Sequence, residues 1–212
     1  MKTGNLIEAL AADAGAGRGT IAGTAAIALS ASALLTAGIF FGLMGLRPDI
    51  GSSGVLAAIG VKLAVTVPMA VVGLILTLRL ARPEAIGKNT PLLLMLPAVI
   101  LLGFIAVGFW QSGAAGWQQR MIGKNGLHCL VAIPMLGILP LGAVVLTLAR
   151  GAVTQHRFAG IAAGVAAAGV AASIYALYCP DDSPLFIALW YSGSTLIMVA
   201  AGHAVCRRVL RW

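Results

Sequence analysis

The chain has 212 residues, of which 60% are hydrophobic and only 9% are charged. Its apolar runs are too long for a soluble core, so the composition excludes an ordinary globular protein. The net charge of +8 does not indicate nucleic-acid binding, because the basic residues are not interleaved with aromatic residues in a polar domain. We therefore expect an integral membrane protein that makes no direct contact with nucleic acid.

Residues 1–19 form the first predicted segment, a short cytoplasmic extension that precedes a membrane domain of residues 20–212. Its apolar residues Leu6, Ile7 and Leu10 fall on one face of an amphipathic helix. Because no basic residues line the polar face, the helix suits a protein groove better than an anionic lipid surface. A partly ordered leader is the alternative.

Six apolar stretches follow, each close to the length of about 20 residues that a helix needs to cross the hydrocarbon core. A helix is expected because it satisfies its own backbone hydrogen bonds in lipid. The predicted fold is an all-α bundle of six transmembrane helices. The predicted spans are residues 21–46, 55–78, 91–110, 127–148, 158–178 and 185–206.

The Lys and Arg residues between these spans are distributed unevenly, which predicts orientation because basic residues in short loops stay in the cytoplasm. With the N-terminus inside, only Arg47, Arg120 and Lys124 lie on the outer side. The inner side then holds ten basic residues, and both termini are expected in the cytoplasm. The ten are Lys2, Arg18, Arg79, Arg82, Lys88, Arg150, Arg157, Arg207, Arg208 and Arg211.

The fifth span carries small residues at every fourth position, namely Gly160, Gly164, Ala168 and Ala172. Such a stripe lets the backbone of a neighbouring helix approach closely. We therefore expect the fifth helix to pack tightly inside the bundle.

Cys129 opens the fourth span and Cys179 closes the fifth, so both are expected at the outer boundary, where thiols can be oxidised. The two can face each other across a helical hairpin. With His128, and with the carboxylates of Asp181 and Asp182 as weaker donors, two thiolates would suit Cu(I) or Zn(II). The residues alone leave open a redox pair, a metal site and a pair of inert buried thiols.

Lys62 is an ionisable residue within the second span, where it either lines a cavity, finds a partner, or extends to the outer interface. If it faces the cysteines, its charge would favour their thiolate forms. Cys206, at the cytoplasmic end of the sixth span, is expected to pack among apolar residues.

Four blocks of residues, taken together, resemble a known family. They are Lys2-Thr3 with Leu6-Ile7 and Leu10-Ala-Ala-Asp13, His128-Cys129 with Pro134 and Pro140, Arg150-Gly-Ala, and Tyr178-Cys179-Pro-Asp-Asp-Ser-Pro with Trp190-Tyr191. They are similar to the NrsF family over essentially the whole chain. The resemblance implies a six-helix anti-sigma factor of the bacterial inner membrane, which holds an extracytoplasmic-function sigma factor inactive.

The resemblance also implies that Cys129 and Cys179 are the paired cysteines of a stress response, in which metal or oxidant relieves the inhibition. We expect Leu6, Ile7 and Leu10 to contribute to sigma capture. Such a protein would be a regulator and not an enzyme.

A small transporter or channel for a metal or another solute is the alternative function, with Lys62 and the cysteines along its path. The spans carry almost no other polar residues that could coordinate an ion at the midplane. A membrane redox enzyme is disfavoured because the chain has no Cys-x-x-Cys motif and no recognisable haem or quinone site.

Overall fold

The computed structural model of the chain describes residues 3–4, 21–82, 90–113, 115–151 and 153–210, which contain helices and no strand. Six helical spans in this part of the chain are long and apolar enough to cross a membrane, which confirms the predicted six-helix bundle. A 3₁₀ turn, Thr90–Leu94, precedes the third span. The helices are α1 Ile21–Met44, α2 Ser53–Leu80, α3 Met95–Ser112, α4 Trp117–Ile122, α5 Gly126–Leu148, α6 His156–Ala176 and α7 Pro184–Val209.

The helix ends lie within a few residues of the predicted limits, and a side-chain cap explains the start of α2. The Ser52 hydroxyl accepts a hydrogen bond from the Val55 N–H at 3.3 Å, which caps the start of α2. Pro68 in α2 and both Pro134 and Pro140 in α5 lie inside helices. Neighbouring helices can compensate for the backbone bond that each proline removes. The short helix α4 was not predicted.

The central helix is α6. In its most apolar stretch of 18 residues, 78% of the residues are buried, whereas the corresponding share for the third span, which contains α3, is 6%. It packs on α2, α5 and α7. A Cβ atom at Gly160 would lie 2.6 Å from the carbonyl oxygen of Gly202, and one at Gly164 would lie 2.5 Å from that of Met198. The small-residue stripe therefore permits close contact with α7, as predicted.

The three connectors 45–52, 113–125 and 177–183 meet at one end of the bundle, called here the thiol end. At the opposite end, Leu80, Leu148 and Leu210 belong to one buried cluster. Most of the described basic residues lie at this opposite end, so the charge asymmetry of the sequence is also an asymmetry of the fold. The exposed arginines there are Arg79, Arg82, Arg150, Arg157, Arg207 and Arg208.

Candidate functional site: a buried thiol pair

Cys129 lies in the first turn of α5, and Cys179 lies in the connector between α6 and α7. Their Sγ atoms are 3.7 Å apart, and both residues are completely buried free thiols. The sulfur atoms meet because α5 and α6 are consecutive antiparallel helices joined by a short connector. The structure therefore brings together the two cysteines that the sequence singles out.

Aromatic side chains surround the two thiols. Tyr175, Phe186 and Tyr191 share one buried cluster with the cysteines. A π-helical turn, Ile187–Tyr191, brings Tyr191 into this cluster, and such turns are frequent at functional sites. The Tyr191 hydroxyl is buried and has no hydrogen-bond partner within the described residues. The thiols thus lie in apolar surroundings with one unpaired hydroxyl donor in the same cluster.

Lys62, on α2, is 0% exposed and reaches the connector that carries Cys179. Its Nζ donates a hydrogen bond to the carbonyl oxygen of Cys179 at 2.6 Å and lies 2.7 Å from Oδ1 of Asp182. Lys62 therefore does not extend to the interface. Of the alternatives open from the sequence, the structure shows the one in which the ammonium group finds a partner, because an unpaired charge would be very costly at this depth.

Arg47 binds the same carboxylate from the connector between α1 and α2. Its Nη1 donates to both carboxylate oxygens of Asp182 at 2.9 Å and to the carbonyl oxygen of Cys179 at 3.3 Å. Its Nε and Nη2 donate to Asp49. Arg47, Asp49, Lys62 and Asp182 form a charge cluster in which two cations balance two carboxylates. From the sequence, Arg47 indicates only the orientation of the chain, although its position in an Arg-Pro-Asp turn is typical of an ordered connector.

Asp181 points to a different helix from its neighbour. Its carboxylate accepts hydrogen bonds from the Asn125 backbone N–H at 2.9 Å, from the Asn125 side chain at 3.0 Å and from the Lys124 N–H at 3.2 Å. These donors directly precede the helix that carries Cys129. The two adjacent carboxylates thus tie the Cys179 connector to α5 on one side and, through Asp182, to α2 on the other.

Gly123 allows this connector to close. It has a φ of 62°, which favours glycine, and a Cβ atom there would overlap the ring of Phe186 and approach the Asp181 carboxyl at 3.1 Å. A larger residue at this position would separate Asp181 from its donors.

The pKa of the Cys179 thiol is held below its ordinary value. The main cause is the hydrogen bond with the Cys129 thiol, and the positive charge of Lys62 adds to it, while burial acts in the opposite direction. The thiolate is the form of cysteine that acts as a nucleophile and as a metal ligand. A lowered pKa therefore makes the Cys179 thiol more reactive than an ordinary cysteine.

The additional metal ligands predicted from the sequence make other contacts among the described residues, and their role as ligands stays a prediction. His128 is exposed, and its ring stacks on Tyr175 with centroids 6.3 Å apart. Asp181 and Asp182 bind the donors described above. Among the residues that the structure describes, no three His, Cys, Asp or Glu side chains are grouped to hold a metal ion. Two adjacent sulfur donors fit soft Cu(I) better than tetrahedral Zn(II), and metal binding stays a prediction.

Two further sequence predictions concern other parts of the chain. Cys206 is buried and belongs to the same apolar cluster as Leu148, as expected for a packing residue. Leu6, Ile7 and Leu10, the predicted sigma-binding residues, lie outside the described residues.

The fold and the site define a polytopic helical membrane protein whose chemistry is concentrated in a buried cysteine pair. Residues 10–212 match the profile of a family described as NrsF, negative regulator of sigma F. The chain therefore belongs to the NrsF family, as its sequence blocks suggested. This is a family of regulators and not of enzymes, so membership favours regulation over the transport alternative.

Two curated relatives extend over the whole chain. The chain is 32% identical to the "Probable anti-sigma-F factor NrsF" of Azospira oryzae and 33% identical to the "Anti-sigma-F factor NrsF" of Caulobacter vibrioides. Each alignment covers 100% of both proteins. No solved structure matches the chain.

Proposed function

We propose that the chain is an anti-sigma factor of the bacterial inner membrane, which holds an extracytoplasmic-function sigma factor inactive and releases it when Cys129 and Cys179 react with an oxidant or a metal. The names of the two relatives support the anti-sigma role. The observation that carries the sensing role is the contact of two free, buried thiols at 3.7 Å.

The proposed orientation puts the thiol end in the periplasm and the opposite end in the cytoplasm. The exposed arginines of the opposite end support it, since basic residues in short loops are retained in the cytoplasm. In this orientation the thiols lie at the oxidising side of the membrane. The sigma factor then binds at the opposite end, which carries the exposed arginines.

Sigma capture in this proposal uses the apolar face of Leu6, Ile7 and Leu10 together with the basic connectors, those of the opposite end that carry Arg82 and Arg150. An amphipathic helix can bind a protein groove through such a face. A sigma factor held in this way would be kept from RNA polymerase. This contact also explains how a chain made almost entirely of membrane helices could bind a soluble partner.

Oxidation would join the two sulfur atoms. The two thiols lose two protons and two electrons to the oxidant, and an S–S bond of about 2.0 Å forms. From the observed 3.7 Å, the sulfur atoms must approach by roughly 1.7 Å. Because both thiols are buried, the oxidant must be small or must enter during a local opening of the thiol end.

Metal would act as the signal and not as a resident cofactor. A soft cation such as Cu(I) would replace the two thiol protons and bind both sulfur atoms. Either reaction changes the distance between the start of α5 and the end of α6. A tenfold loss of sigma affinity needs only about 1.4 kcal/mol of difference between the two states.

Serine substitutions test the sensor. Cys129→Ser and Cys179→Ser should each abolish induction of a sigma-dependent reporter by copper, cadmium or diamide, because a single thiol can neither close a disulfide nor bind metal through two sulfurs. Cys206→Ser is the matched control, since it removes a buried cysteine at the opposite end and should leave induction intact. Normal induction in both Cys129→Ser and Cys179→Ser would defeat the sensing role.

Charge in the apolar face tests the docking. Leu6→Asp combined with Leu10→Asp should abolish co-purification of the sigma factor, whereas Glu8→Gln, on the predicted polar face, should retain it. A complex that survives the double substitution would move the contact to the basic connectors.

A further inference from the structure

Lys62 contacts the connector 177–183 through more than its ion pair with Asp182. The same Nζ that pairs with Asp182 donates its 2.6 Å hydrogen bond to the main chain of Cys179 itself. It is completely buried on a helix that contributes neither thiol. The contact therefore links the position of Cys179 to the position of α2.

Stability alone is a weak reason for such a residue. A buried ion pair contributes little, on balance, compared with well-packed apolar side chains, and an ionisable residue within a membrane span marks function more often than packing. Arg47 would satisfy Asp182 without Lys62, since it already donates to both carboxylate oxygens. The additional cation therefore calls for an explanation other than charge balance.

The hydrogen bond from Lys62 tolerates little movement of Cys179. From the observed 2.6 Å, donor and acceptor can separate by roughly 0.6 Å before they exceed the usual upper limit of about 3.2 Å for an N–H···O bond. Closing the sulfur contact to bonding distance requires roughly 1.7 Å. If the main chain of Cys179 takes up half of that movement, either the bond to Lys62 breaks or α2 follows.

Helix α2 reaches from this contact to the opposite end of the bundle. It packs along α6, and Ala81, which follows its last residue, lies in one buried cluster with Val153 of the connector between α5 and α6. There, a Cβ atom at Gly151 would lie 2.8 Å from the carbonyl oxygen of Ala81. A shift of α2 would thus move residues at the opposite end of the bundle.

We propose that Lys62 is a relay residue, which couples the bonding state of Cys129 and Cys179 to the position of α2 through its contacts with Cys179 and Asp182. The proposal rests on the sensing role proposed above, because that role supplies the two thiol states. The contacts of Lys62 change when Cys129 and Cys179 form a bond, but Lys62 takes no part in the sulfur chemistry. Coupling through α2 has the physical basis that allostery requires, namely a contact that differs between two states.

Hydrogen–deuterium exchange on the purified full chain in lipid nanodiscs tests the relay without any sigma factor. The Cys206→Ser protein is compared in its reduced form and after diamide has taken two electrons and two protons from the thiol pair. In this parent protein, exchange at residues 76–82 of α2 should differ about tenfold between the two forms, within the usual range of allosteric coupling. In Lys62→Met the difference should fall below about twofold, although the disulfide still forms.

Two further variants sharpen the test. Lys62→Arg keeps a charged donor and should recover part of the difference. Thr66→Val, one turn further along α2, removes the contact with the Ser173 hydroxyl but none at the thiol end, so the difference should stay as in the parent protein. Should Lys62→Met not fold, Lys62→Leu, which also lacks a hydrogen-bond donor, serves in its place, with the same expected loss.

Three results would overturn the relay. They are equal exchange in both forms of the parent protein, a full difference retained in Lys62→Met, and failure of the disulfide to form in that variant. None of these affects the reporter results for Cys129→Ser and Cys179→Ser, which test the sensing role separately. Normal induction in both serine variants would remove the sensing role and the relay together.

Discussion

Removing the shared carboxylate of the charge cluster should destabilise the protein more than removing one of its cations. Asp182 holds Lys62 at 2.7 Å and Arg47 at 2.9 Å. In Asp182→Asn, Arg47 keeps Asp49, but the fully buried Lys62 loses its countercharge and is left with neutral acceptors, the carbonyl oxygen of Cys179 and the new amide oxygen. An uncompensated buried charge of this kind costs about 3–5 kcal/mol.

The opposite substitution should be milder. Lys62→Met removes the buried charge itself, and Asp182 retains Arg47 and remains 29% exposed through its side chain. In the double variant with Asp182→Asn no unpaired buried charge remains, so its stability should lie within about 2 kcal/mol of the parent protein. The double variant should therefore be more stable than Asp182→Asn alone.

Thermal unfolding in detergent micelles at one fixed scan rate measures this order. For a chain of this length, 1 kcal/mol corresponds to about 2–4 °C, so Asp182→Asn should lower Tm by about 6–20 °C. Asp49→Asn is the matched control, because its side chain is 52% exposed and Arg47 keeps Asp182. A Tm for Asp182→Asn within about 2 °C of the parent, or a double variant less stable than Asp182→Asn, would refute the reasoning.

Two further predictions concern the packing and the thiols. Gly164→Ala should destabilise the protein by about 1–3 kcal/mol, because its Cβ would lie 2.5 Å from the Met198 carbonyl oxygen. Gly142→Ala, where a Cβ atom meets open space, should stabilise it slightly, and equal Tm values for the two variants would contradict the close α6–α7 contact. Cys129→Ala should raise the pKa of Cys179, because it removes the main contribution that lowers it, so the thiolate absorbance at 240 nm should appear at higher pH; an unchanged midpoint would contradict the role of the Cys129 contact in lowering this pKa.

The carboxylates show the limit of what residue types indicate. From the sequence, Asp181 and Asp182 are candidate metal ligands because they follow a cysteine. In the fold they are anchors that point to opposite sides, Asp181 to Asn125 and Asp182 to Lys62. A carboxylate suits either role, and only the neighbouring connectors decide between them.

The sequence by itself determined the class of protein, the six spans and the uneven distribution of charge. These follow from hydropathy and from local composition, because a helix in lipid must satisfy its own backbone groups wherever it packs. The stripe that begins at Gly160 likewise predicted close packing, since small residues have that effect in any bundle. The sequence also predicts that Cys129 and Cys179 lie at the same end of the bundle, because short connectors make consecutive helices antiparallel neighbours.

Only the tertiary structure decided what surrounds the thiols. The partner of Lys62 is 120 residues away in the chain, and Arg47 joins the same carboxylate from a third connector. The buried position of the Tyr191 hydroxyl depends on a π-helical turn, which no local sequence pattern predicts. Such contacts depend on how three connectors close over one end of the bundle, and burial then requires every charge there to find a partner.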